Sequence, residues 1–220
     1  LILLFLFHQN IITVDDNIFN YIMAKNDNYK LYFFNEIKNL LPFENQKSIE
    51  NKLLSENPNI FDNFLEKCQE GENDDYLCSL IRNDSVEEFI IFVNRKNIPL
   101  STVICPSIFE TNSFLIKREP TLIEYAAFFG SIQIFQYLLL NDVSLHESLW
   151  LYAIHSNNAE IIHLFESYNI EPEDKTYEEC FKESIKCHHN EIANYIKDNL
   201  LSKYYSLDQN QGQNNSENQT

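Results

Sequence analysis

The stretch Thr121-Leu122-Ile123-Glu124-Tyr125-Ala126-Ala127-Phe128-Phe129-Gly130-Ser131-Ile132-Gln133-Ile134-Phe135-Gln136-Tyr137-Leu138-Leu139-Leu140 decides the fold. Thr121 and Glu124 form an S/T-x-x-E capping box, and Pro120 before them keeps the chain extended, so a helix begins here. The small pair Ala126-Ala127 lets that helix approach its neighbours closely, and Gly130 suits a tight or left-handed turn. Ile134, Phe135, Leu138 and Leu139 then form the apolar stripe of a second helix. Tyr125–Phe135 aligns without a gap onto Tyr152–Ile162, 27 positions later, and onto Glu183–Ala193 after a further 31. A fainter copy, Ser79–Phe89, lies 46 positions before the first. Asp84, Asn157 and His188 stand where the first copy has Gly130. Ser85 with Glu88 and Thr176 with Glu179 repeat the capping signature, which predicts two more helix starts. A helix-turn-helix unit of this size cannot bury its apolar face alone, so the copies are expected to stack.

Upstream, residues 16 to 70 read as helices. Leu31, Phe34, Lys38 and Leu41 share a face that ends at Pro42. A helix is predicted from Asn57 to Gly71, with Asn57 as N-cap, Pro58 at the first helical position, a stripe of Ile60, Phe61, Phe64, Leu65 and Cys68, and Gly71 closing the end. Residues 71 to 75 predict a solvated break, giving a helical region 1–74 and a repeat domain 75–205. Its units lie near 75–97, 121–143, 148–170 and 177–201. Pro99, Pro106 and Pro120 mark an insertion, 98–119, with a short helix expected around 107 to 115. The Asn/Gln-rich residues 206–220 predict a disordered tail. Leu1 to Phe7 is continuously apolar, far short of the ~20 residues that span a bilayer, without a basic leader or a cleavage site after it. The run is expected to be the end of a buried helix, in a chain that starts at Leu1 without an initiator Met and so looks like a fragment or a processed product.

Composition removes several function classes. The three glycines, Gly71, Gly130 and Gly212, are never closer than 59 positions, whereas a phosphate-cradling loop needs two or three within about six residues. The net charge of -17 repels phosphate backbones and anionic lipids, and no segment is net basic, although all three arginines fall in the near-neutral stretch 75 to 120. Nucleic-acid and membrane partners are therefore not expected. Five cysteines without a CxxC pair point to reduced thiols and an intracellular, cytoplasmic or nuclear setting.

The quoted stretch resembles the ankyrin repeat, T-P-L-H-x-A-A-x-x-G-H-x-x-I-V-x-x-L-L. It departs from that pattern at Leu122, Glu124 and Ser131, and Asp142 stands at the usual closing glycine. With the Asn-rich composition and the stretches 108–115, 149–155 and 185–190, residues 75 to 201 are similar to large protist families of ankyrin proteins with a helical N-terminal domain. The resemblance implies an all-α fold, in which a helical N-terminal region precedes an ankyrin-type α-solenoid of helix-turn-helix repeats. It implies a scaffold that binds an unnamed protein or peptide, with no catalysis, cofactor or small-molecule substrate. In such arrays the two positions before the inter-helix glycine lie at the concave groove. The candidate binding residues are thus Arg82 and Asn83, Phe128 and Phe129, His155 and Ser156, and Lys186 and Cys187, an aromatic centre flanked by cations.

Other chemistry is thinly supported. Cys180, Cys187, His188 and His189 carry zinc-ligand types, but their spacing matches no common finger, and on a helix 180 and 187 share a face that 188 and 189 leave, so no metal is expected. A metal-binding or hydrolytic enzyme using this quartet is the rival reading. No G-x-S-x-G or H-E-x-x-H occurs, and the pairs Glu178-Glu179 and Asp15-Asp16 are expected in first turns, where the helix dipole accounts for them. A third reading is a structural one, in which the polar residues 190 to 203 cap a longer array.

Overall fold

The computed structural model describes residues 2–9, 11–25, 27–56 and 58–201. It is all-α, and among the described residues no strand forms, only an isolated antiparallel bridge between Val103 and Thr121. In chain order the helices are α1 (Ile2–His8), α2 (Asp16–Met23), α3 (Asp27–Tyr32), α4 (Phe34–Ile37), α5 (Phe43–Glu56), α6 (Phe64–Glu70), α7 (Tyr76–Arg82), α8 (Val86–Lys96), α9 (Ser113–Arg118), α10 (Leu122–Phe129), α11 (Ile132–Leu140), α12 (Leu149–His155), α13 (Ala159–Ser167), α14 (Glu178–Lys186) and α15 (Asn190–Tyr195), which runs on into a π-helical turn, Ile196–Leu201. Two compact units result: Leu1–Tyr76 with Cys105–Glu119, and Leu77–Ile104 with the described residues from Pro120 onward. Among the described residues no helix is long and apolar enough to cross a membrane. Asn57 and the stretch 206–220 lie outside the described residues.

The first unit is built on aromatic packing. α1 buries only Leu4 fully, with Leu3 and Phe7 against the core and Ile2 and Phe5 exposed, so the apolar run is one-sided rather than buried all round. Leu31, Phe33, Phe34, Ile37, Leu53, Phe64 and Cys68 complete the core. The helix predicted over 57 to 71 is shorter: 58–63 form turns, and α6 starts only after Asn63, which takes a left-handed φ of 59°. The Phe61 ring accounts for the break: it packs, tilted, against Phe34 at 6.4 Å and Phe64 at 6.0 Å, contacts that favour the turn over a straight helix. Phe61 and Leu65 of the expected stripe are exposed, while Gly71 closes α6 at φ 69° as expected.

The expected solvated break at 71 to 75 is instead pinned. Gly71 and Asn73 are buried, Asn73 donates to the Cys105 carbonyl at 2.9 Å, Asp74 meets Lys67 at 3.1 Å, and Thr111 donates to the Gly71 carbonyl. The insertion 98–119 is divided by the same logic. Its later part puts Phe109 into the first unit's core, 5.3 Å from Phe64, and its helix is α9 rather than 107 to 115. Its earlier part stays with the second unit, where the Ile104 amide donates to the Pro120 carbonyl and the Leu122 amide to Thr102.

The second unit is a succession of helix pairs, α7/α8, α10/α11, α12/α13 and α14/α15, in which α10 packs on α12 and α12 on α14. Every first helix ends on a left-handed residue: Asp84 (φ 49°), Gly130 (68°), Asn157 (51°) and His188 (59°). At Asp84, Gly130 and His188 the left-handed amide bonds the carbonyl three residues back and the next amide the carbonyl five back, which satisfies two orphan helix-end carbonyls. The second helices close the same way at Asn97, Asp142 and Asn169, each followed by an apolar residue, Ile98, Val143 or Ile170. Leu122, Ile123, Ala126 and Ala127 are fully buried, so α10 is the centre of the unit.

The three predicted capping boxes divide. At α10 both reciprocal bonds form, and buried Glu124 also accepts from Ser148 at 2.9 Å. Ser85 makes no cap bond; its neighbour Asp84 instead accepts the Gln133 and Ile134 amides at 3.0 and 2.9 Å, capping α11 of the next pair. At α14 the carboxylate of Asp174 takes the Glu179 and Tyr177 amides, while Thr176 receives only Glu178 at 3.3 Å. An ionised carboxylate is the stronger acceptor at a helix N-terminus, and at α14 Asp174 takes amides expected to go to the Thr176 hydroxyl.

Candidate functional site

The residues before the four left-handed turns come together along one side of the second unit. Side-chain bonds between pairs hold them in register. The Ser131 hydroxyl donates to the Ile81 carbonyl at 2.6 Å, and His189 Nδ1 lies 2.8 Å from the Ile154 carbonyl, which can only accept. Ser131 and His189 both open a second helix, and both reach the carbonyl three residues before the preceding pair's left-handed turn.

On this frame the candidate side chains form a chain of contacts. Arg82 donates to the Tyr125 hydroxyl at 3.0 Å, and its guanidinium stands 6.0 Å from the centre of the Phe129 ring. Phe129 meets Tyr125 at 4.7 Å and Phe128 at 5.0 Å. Phe128 stacks on the His155 imidazole, centroids 5.1 Å apart and planes 22° apart. His155 Nε2 lies 3.1 Å from Glu183 Oε1, and Cys187 Sγ lies 3.5 Å from His155 Nδ1. Lys186 closes the line on the other Glu183 oxygen at 2.8 Å.

The eight candidates therefore play unequal parts. Arg82, Phe129, His155 and Cys187 are half-buried, and Lys186 is exposed. Phe128 is only 7% exposed, edge-on to Phe129 and stacked on His155, so Phe129 is the more accessible of the two expected aromatic anchors. Asn83 bends back to the Ser79 carbonyl, and Ser156 to the Ala153 carbonyl, so both serve their own turns. Glu183 and Tyr125 also belong to the line, although neither is among the eight candidates. Helical spacing could have found Glu183, which sits four residues before Cys187 and shares its face.

The quartet Cys180, Cys187, His188 and His189 does not converge. Cys180 is buried, His188 is exposed and His189 is engaged with Ile154. Among the described residues, the metal-capable group whose donor atoms do converge is His155, Glu183 and Cys187, all within 4.8 Å of one another. Burial raises the Glu183 carboxyl, but the Lys186 and His155 contacts outweigh it and hold the group below its ordinary value. Burial and then the Glu183 charge push the Cys187 thiol up, and burial does the same to Cys180, so neither has the low pKa of a nucleophilic thiol. No protein-family model, curated protein or solved structure matches the chain.

Proposed function

We propose that the second unit is an ankyrin-type solenoid that acts as a protein-binding scaffold. The observation that carries this reading is register: four helix pairs turn through a left-handed residue at the same aligned position, and the residues just before those turns touch from pair to pair. Such a line offers a continuous surface on rigid helix ends, where an extended segment finds side chains already in place. Phe129 is its accessible aromatic anchor, with Arg82 and Lys186 as the cationic ends in a chain of net charge -17. The favoured occupant is a peptide or protein segment with an apolar or aromatic centre and acidic flanks.

The test uses the full chain as bait in affinity purification with quantitative mass spectrometry, comparing wild type with Phe129→Ala and with Phe129→Ala plus Lys186→Ala. A bound protein should fall by about tenfold or more in the variants, the usual effect of removing an anchor, while the unfolding midpoint stays within experimental error. Retention of the same proteins by the double variant refutes use of this surface.

A further inference from the structure

We infer that His155, Glu183 and Cys187 form a binding site for a zinc-class divalent cation, joining the end of α12 to α14. The donor set is imidazole nitrogen, carboxylate oxygen and thiol sulfur, the three ligand types that zinc takes. Their spacing already resembles a coordination shell. A tetrahedral zinc with bonds of about 2.0–2.3 Å holds its N and O donors about 3.3 Å apart and its N and S donors about 3.6 Å apart. Here Nε2 of His155 stands 3.1 Å from Glu183 Oε1 and 3.7 Å from Cys187 Sγ. The three donor atoms lie within 4.8 Å of one another, and because the sulfur stands 3.5 Å from Nδ1, cation binding requires the imidazole and the Cys187 side chain to rotate.

The setting favours a cation in three further ways. Glu183 and Cys187 lie four residues apart at the end of α14, so one helix turn fixes their spacing, while His155 is held by its stack on Phe128. The side chains of His155 and Glu183 are 15% and 17% exposed, which limits competing water but leaves a path of entry. Lys186 binds the second carboxylate oxygen, Oε2, and so orients Oε1 toward the imidazole, as an outer-shell partner orients a ligand. On binding, the thiol S–H bond breaks, the sulfur lone pair forms the bond to the cation, and one proton passes to solvent, so no redox partner is required. Three protein donors leave one of zinc's four positions for water. The site is independent of the scaffold reading, since it needs no protein partner.

Cobalt(II) and zinc(II) added to the reduced full chain provide the test. Cobalt should give a one-to-one tetrahedral spectrum with a thiolate charge-transfer band, and zinc should displace it. The band should vanish in Cys187→Ser and weaken by on the order of tenfold in affinity in His155→Gln and Glu183→Gln, while Cys105→Ser keeps it. In wild type, zinc should slow maleimide labelling of Cys187 without protecting Cys105, a readout that needs no variant to fold. Absence of the thiolate band, its survival in Cys187→Ser with native helicity, or equal labelling of Cys187 with and without zinc overturns the site.

Discussion

Replacing Asp84 tests whether the helix pairs are coupled by the bond that the sequence pattern did not disclose. Asp84 carries two loads: its backbone holds a left-handed φ of 49°, and its carboxylate accepts the Gln133 and Ile134 amides of α11 at 3.0 and 2.9 Å. Losing an N-cap costs about 0.5–2 kcal/mol, and placing a Cβ-bearing residue without a compensating side chain in the left-handed region costs roughly 1–2 kcal/mol. Asp84→Ala suffers both, for about 2–3 kcal/mol in all. Asp84→Gly loses the cap but relaxes the backbone, for about 1 kcal/mol or less. Asp84→Asn keeps an acceptor and the backbone tolerance and loses the charge, for about 0.5–1 kcal/mol. The sole tryptophan, Trp150, is fully buried in the second unit and reports its unfolding in urea separately from the far-UV signal of the whole chain. The alanine variant should lower the Trp150 midpoint by about 1 M or more at unchanged slope. An alanine variant no less stable than the glycine variant refutes the backbone contribution, and an alanine variant matching wild type refutes the cap.

Gly130→Ala should destabilise the same transition by about 1–2 kcal/mol or more, because the position has φ 68° and a Cβ there meets Asn158 Nδ2 at 3.0 Å; urea titration read by Trp150 measures it. His188→Gly, at an exposed residue with φ 59°, should instead be neutral or stabilising by up to about 1 kcal/mol in the same titration. Glu183 should shape the acid limb of stability. In the unfolded chain it takes its proton near its ordinary value of 4.5, and in the folded chain only at lower pH, so its contribution is present above that value and is lost as pH falls through the folded one. Urea midpoints from about pH 7 to about pH 3 should therefore fall less steeply for Glu183→Gln than for wild type. Among the five cysteines, Cys105 alone is exposed, and burial followed by the Glu36 charge pushes the Cys68 thiol up to about 12. Short maleimide treatment of the native chain should label Cys105 first and all five only after denaturation, as peptide mass spectrometry reports.

What the sequence determined by itself is what a few neighbouring residues can enforce. The Thr121–Glu124 capping box forms as read because donor and acceptor lie within one turn. The left-handed turns fall at Asp84, Gly130, Asn157 and His188 because only small or side-chain-bonding residues bear that backbone cheaply, and repeat alignment finds them. The all-α class follows from the same local periodicities. The tertiary structure decided everything that depends on which surfaces meet. Ser85 and Thr176 carry sound capping signatures, yet Ser85 makes no cap bond, Asp174 takes most of the cap at α14, and Asp84 caps a helix 50 residues further on. Phe109 leaves the repeat register to fill the first unit's core, α6 shortens where the Phe34, Phe61 and Phe64 rings meet, and Phe128 disappears beneath His155. The His155, Glu183 and Cys187 donors converge although His155 and Glu183 lie 28 residues apart. Hydrogen bonds within a turn depend on chain geometry alone, whereas contacts between helix pairs depend on packing summed over many side chains, which no short motif encodes.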